Sequence, residues 1–208
     1  MEPAPDQPSA VLHAVRLAGR AEPRRLAGLA GLDEDGVRRQ LEALAAAGLV
    51  RRHEGRFGGW APTPLGTRHD DEVLAAELET LGGRPGLEAA YRSFLALNPE
   101  LLAACTDWQL VASEPHPRRN DHRDRAYDAA VLRRLEGVHG RVRPVLDELG
   151  RRAPRFAGYG PRLQAALDRV RAGDHEWFTG ALVDSYHQVW FELHQDLLLT
   201  LGIERGEE

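Results

Sequence analysis

Two stretches of this 208-residue chain gather side chains able to do chemistry. One is "GLVRRHEGRFGGWAPTPLG", residues 48–66, where Arg51, Arg52 and Arg56 crowd a glycine-rich tip. A guanidinium keeps its charge at any ordinary pH and offers parallel N–H donors that fit phosphate or carboxylate oxygens, so the segment suits an anionic partner. The other is the last apolar segment, where His187 and His194 fall within about 20° of each other on a helix, with Asp184 one turn before His187. Imidazole and carboxylate at that spacing can share a divalent ion, helped by His116, His122 or His139 from elsewhere. They can equally line a small-molecule pocket with Trp177, Tyr186 and Trp190, faced by Trp108 and Asp107, since such pockets are apolar with a few placed polar groups. The third reading is plain core.

Catalytic signatures are missing. There is no nucleophile elbow, no HExxH pair and no dinucleotide fingerprint after a strand, and a chain without lysine has no Gly-x4-Gly-Lys phosphate loop. "NDHRD", residues 120–124, reads as cap and turn chemistry, with Asp124 capping the helix that follows. The expectation is a protein that is not an enzyme and carries no cofactor.

Hydrophobic residues at 42% and charged ones at 28% suit a soluble globular chain. No apolar run reaches the roughly 20 residues of a membrane helix, and the start lacks a secretion pattern, so a cytoplasmic protein that avoids membranes is expected. The single Cys105 excludes an internal disulfide and reads as packing. Net charge is −5 but uneven: residues 9–70 carry ten arginines against seven carboxylates, and the acidic excess lies elsewhere. The mildly basic segment supports a polyanionic partner.

The elements that must hold these residues follow from periodicity and caps. Residues 1–8 are Pro-rich and acidic and should fray. A helix starts at Ser9 and closes at Gly19; a short one starts at Pro23; a third runs from the cap Asp33, stapled by Leu32 and Val37, to Gly48. "LVRRHE" and "GWAPT" pair as short strands around the glycine tip, and Thr63 with Pro64 restarts a helix. Residues 82–86, "GGRPG", form a linker. Beyond it nothing reads as strand: helices are expected over 87–98 with Asn98 as the next cap, over 99–110, on a long segment containing Gly140 and Pro144, over 161–173, and over 179–202. In the last, Val183, Tyr186, Trp190, Leu193, Leu197 and Leu201 form one apolar stripe, closing a bundle or a dimer interface.

Helix, helix, turn, helix, two-stranded hairpin, helix, with "RLAGLAGLDEDGVRRQLEALAAAGLVRRHEGRFGGWAPTPLG", resembles the DNA-binding domains of MarR-like transcriptional regulators over about a third of the chain. The resemblance implies a winged helix-turn-helix with a two-stranded β-wing over 9–81 and double-stranded DNA as partner; with the helical pattern beyond it, which reads as an all-helical bundle over 87–204, the chain is expected to be mainly α. A homodimer is expected from the resemblance together with the apolar stripe, and a small-molecule effector from the pocket reading of the bundle. Arg38, Arg39 and Gln40 on the third helix would face base edges, and Arg51, Arg52 and Arg56 on the wing would neutralise phosphate, while Phe57 and Trp60 could stack or pack beneath it. Three carboxylates, Asp33, Glu34 and Asp35, stand at the start of that helix, where phosphate would be repelled. They leave open a second reading, a winged-helix module that docks on protein and does not bind DNA.

Overall fold

The computed structural model describes residues 7–55, 58–80, 84–113 and 115–203. The chain is mainly helical, with two small two-stranded antiparallel sheets, and divides into two compact units. One takes in the described residues 7–80 and 195–203; the other is Arg84–His194. Among the described residues, no helix is long and apolar enough to cross a membrane.

The first unit opens with α1 (Gln7–Ala18), α2 (Pro23–Ala30) and α3 (Glu34–Ala46). Helix α1 begins two residues before the expected Ser9, so Gln7 and Pro8 are helical; the rest of the expected frayed start lies outside the described residues. Pro23 opens α2, where its missing N–H leaves no bond unmade. Asp33 caps α3 by accepting from the Gly36 N–H at 2.8 Å. Val11, Leu12, Val15, Leu26, Val37, Leu41 and Leu44 pack as one core, with Leu32 against it.

After α3 the chain turns at Gly48 (φ +74°) into the hairpin β1 (Val50–His53) and β2 (Gly59–Pro62), in register from Val50 opposite Pro62 to His53 opposite Gly59. The hairpin is anchored at its back, because Ala21 and Trp60 exchange N–H···O bonds of 3.1 and 2.8 Å. Gly59 is required there: its φ is +129°, and a Cβ would stand 2.8 Å from the Ala21 carbonyl oxygen. Trp60 packs on the core. Helix α4 (Pro64–Thr80) follows at once, and Thr63 joins it to the end of α3. Its hydroxyl donates to the Gly48 carbonyl (2.7 Å) and accepts from the Gly66 N–H (3.1 Å), which makes it the expected cap.

The same unit holds a buried polar junction. His13 on α1 has Nδ1 3.1 Å from Asp70 Oδ2 on α4, and Nε2 3.1 Å from Asp196 Oδ1. Both partners are carboxylate acceptors, so both ring nitrogens must carry hydrogen and the ring is an imidazolium. Arg16 adds a bond to Asp70 at 3.1 Å. Burial pulls the His13 pKa down, but the Asp196 charge and the hydrogen bonds to Asp196 and Asp70 outweigh it, and the net result is about 9.

In the second unit α5 (Arg84–Leu95), α6 (Asn98–Gln109), a 3-10 turn (Pro154–Gly158) and α8 (Tyr159–Arg171) pack against the long α7 (Arg125–Arg152). Asp124 caps α7 through the N–H groups of Ala126 and Tyr127, and α7 runs on through Gly140 and Pro144. Five expectations need correction. Helix α5 starts at Arg84, so residues 84–86 of the supposed linker are helical. Asn98 caps nothing; its Oδ1 accepts from Trp190 Nε1 at 3.1 Å. Two strands, β3 (Leu110–Val111) and β4 (Arg118–Arg119), pair where only loop was expected, each too short to show a period-two pattern. The last segment holds a single turn of helix, α9 (Glu176–Thr179), and then α10 (Tyr186–Leu201), so Val183 lies ahead of the stripe. From Gln195 onward α10 belongs to the first unit rather than to a separate second domain.

Candidate functional site

Helix α3 presents Arg38 and Arg39 to solvent because Val37, Leu41 and Leu44 take the opposite face. Arg38 is held by Glu34 one turn earlier, in the sense that the helix dipole favours. Of the three carboxylates, Asp33 is therefore spent on the cap and Glu34 on Arg38, and Asp35 is exposed. Gln40 differs from expectation: it is half-buried, and among the described residues its Oε1 is a buried acceptor without a hydrogen bond. It lies three residues after Val37 and four before Leu44, so its side chain borders the buried face of the helix.

On β1 the side chains do not alternate simply, for Val50 is buried while Arg51 and Arg52 are both exposed. Burial, then the charges of Arg20 and Arg51, hold the His53 pKa below its ordinary value, so the field at this strand is positive. Arg56 and Phe57 lie outside the described residues.

The second unit dissolves the expected aromatic and histidine pocket on α10. Tyr186 and Trp190 are buried, Trp190 stacks on Phe94 with centroids 4.4 Å apart, and His194 is buried beside Tyr91 and Phe94. The Tyr186 hydroxyl donates to His139 Nδ1 (3.2 Å), whose other nitrogen donates to Gln164 Oε1 (3.0 Å). Trp177 lies under the Arg169 guanidinium, and His187 is half-buried, its pKa lowered by desolvation. Asp184 is engaged by Arg162, which also reaches the buried Glu192 at 2.6 Å. Asp184, His187 and His194 therefore do not assemble as metal ligands. Leu193, Leu197 and Leu201 are buried within the single chain. Cys105 is packed, and burial pushes its thiol up to about 12.

Of the expected pocket residues, Trp108 borders a cleft of about 640 Å3, together with Arg119, Asn120, His122, His175 and Leu182 among others, and the rest do not line this cleft. Trp108 stacks on Phe178 and lies 4.7 Å from the His122 ring, which in turn is 4.2 Å from that of His175. His122, Asp128 and His175 bring one ligand-type atom each to within 4.8 Å of one another, which no other trio of His, Cys, Asp or Glu does among the described residues. In the sequence this group shows only as the dense "NDHRD" stretch and as His122 among the histidines that could help hold an ion. Its meaning stayed hidden because His175 comes from more than fifty residues away.

Comparison with protein-family models, with curated proteins and with solved structures finds no match to this chain.

Proposed function

We propose that the chain is a DNA-binding transcriptional regulator of winged-helix form, with α3 as the helix that enters the major groove and the β1–β2 hairpin as the wing. The observation that carries this reading is the exposure of Arg39 on α3 together with Arg51 and Arg52 on β1, all in one unit whose hairpin is fixed to the turn before α2. Wing arginines would neutralise phosphates, and Arg39 would reach base edges, where one bidentate contact is worth about 1 to 3 kcal/mol of discrimination. The second unit would carry effector sensing. Regulators of this shape read paired half-sites as homodimers, and that partner is proposed from the MarR-like resemblance alone.

The alternative, a module that docks on protein, draws on the acidic start of α3, where Glu34 occupies Arg38 and Asp35 is exposed. One comparison separates the two. In fluorescence-anisotropy titrations with duplex DNA, Glu34→Gln frees Arg38 and removes a repelling charge, so affinity rises several-fold, while Arg39→Ala lowers discrimination between sequences by about 1 to 3 kcal/mol. If neither substitution changes duplex binding, α3 is not the reading helix.

A further inference from the structure

We propose that His122, Asp128 and His175 form a site for one divalent first-row transition ion of the zinc class, with open coordination positions facing the cleft. The inference does not rest on the DNA reading.

The three side chains come from three places, the loop before α7, the first turn of α7 and the residue before α9. Their ligand atoms lie within 4.8 Å of one another. Metal–nitrogen bonds of about 2.0 to 2.1 Å put tetrahedral ligand atoms roughly 3.4 Å apart, so closure onto an ion needs only small side-chain shifts. Two imidazoles and one carboxylate are the donor set of three-ligand sites that leave a position for water or a small molecule.

The surroundings behave as an orienting shell. Asn120 is buried, and its amide spends its two hydrogens on the Trp108 carbonyl (3.1 Å) and on Asp128 Oδ1 (2.8 Å), which turns the other carboxylate oxygen toward His122. Asp128 Oδ2 is 3.0 Å from His122 Nδ1. With the amide hydrogens already used, Nδ1 must be the donor there, so in the ion-free protein a proton occupies the place between these two atoms. Trp108 Nε1 donates to the His175 carbonyl at 3.2 Å and fixes the third ligand's backbone. Such second partners are what hold metal ligands in place.

His122 is moreover the one non-glycine residue with positive φ among the described residues, at +57°. Left-handed backbone costs a histidine free energy that needs a return elsewhere. Its own N–H to Asn120 Oδ1 (3.0 Å) holds the turn, and the turn delivers the ring to the cleft beside His175.

The full chain, free of any polyhistidine tag and stripped with chelator, is titrated with cobalt(II) and followed by visible absorption and native mass spectrometry. One ion per chain is expected, displaced by zinc(II). His175→Ala alters an exposed side chain and leaves the circular dichroism and melting unchanged, yet it weakens cobalt(II) binding at least tenfold; His69→Ala, an exposed histidine in the first unit, binds as the parent does. Absence of a stoichiometric ion in the parent overturns the site, and so does His175→Ala binding cobalt(II) as tightly as the parent.

Discussion

Replacing His13 by leucine lowers the stability of the protein by about 3 to 5 kcal/mol, the usual cost of deleting one partner from a buried ionic group. The substitution removes the cation that bridges two buried carboxylates, Asp70 and Asp196, which reach it from α4 and α10. Arg16 stays on Asp70 and limits the loss on that side. The pH dependence identifies the cause. His13 has its folded pKa raised from 6.5 to about 9, so the folded state holds its proton where the unfolded chain has released it. The resulting stability is complete below the unfolded value and is lost as pH rises through the folded one. Urea unfolding at pH 6 and pH 9.5 is expected to show the parent losing on the order of 3 kcal/mol that His13→Leu does not lose. Parallel pH profiles for the two proteins would mean that the ring is not charged in the fold.

Gly66→Ala is expected to be the other severe change, at about 3 kcal/mol or more. A Cβ at Gly66 would stand 2.0 Å from the Leu49 carbonyl oxygen, and that contact is backbone against backbone, so no rotamer relieves it. Leu49 O also accepts from the Thr63 N–H at 2.9 Å, so the clash falls on the junction linking the end of α3 to the start of α4. The hairpin hangs between those two helices. Duplex binding should therefore fall with stability although no arginine is altered. Calorimetric melting of Gly66→Ala beside Gly28→Ala reads this directly, for Gly28 has nothing within 4 Å of an added Cβ, and since alanine is about 0.5 to 1 kcal/mol better than glycine inside a helix, its variant should melt at or slightly above the parent.

What the sequence made legible was local. Asp33, Thr63 and Asp124 cap their helices because the donor and acceptor lie within three residues, and the stripe on α3 follows from its 3.6-residue period. The pairing of β1 with β2 was readable because glycines mark the tip. The polar contacts between distant residues were missed. The partners of His13 lie 57 and 183 residues away, and no window along the chain brings them together. His122 and His175 meet only through the fold, so a loop read as turn chemistry turns out to border a cleft. Asn98 has the residue type of a cap, but the buried Trp190 N–H needs an acceptor, and that demand takes its side chain. The apolar run before Tyr186 looked helical, yet residues 181–184 form turns and leave Leu182 fully exposed.

The central claim is that exposed arginines on α3 and β1 grip a polyanionic duplex, and a salt titration of binding to random-sequence duplex DNA tests it most directly. Affinity should fall linearly on a log–log plot, and Arg51→Ala with Arg52→Ala together should reduce the steepness by about two. No measurable binding at low salt, or a slope unchanged by the paired substitution, would contradict the account.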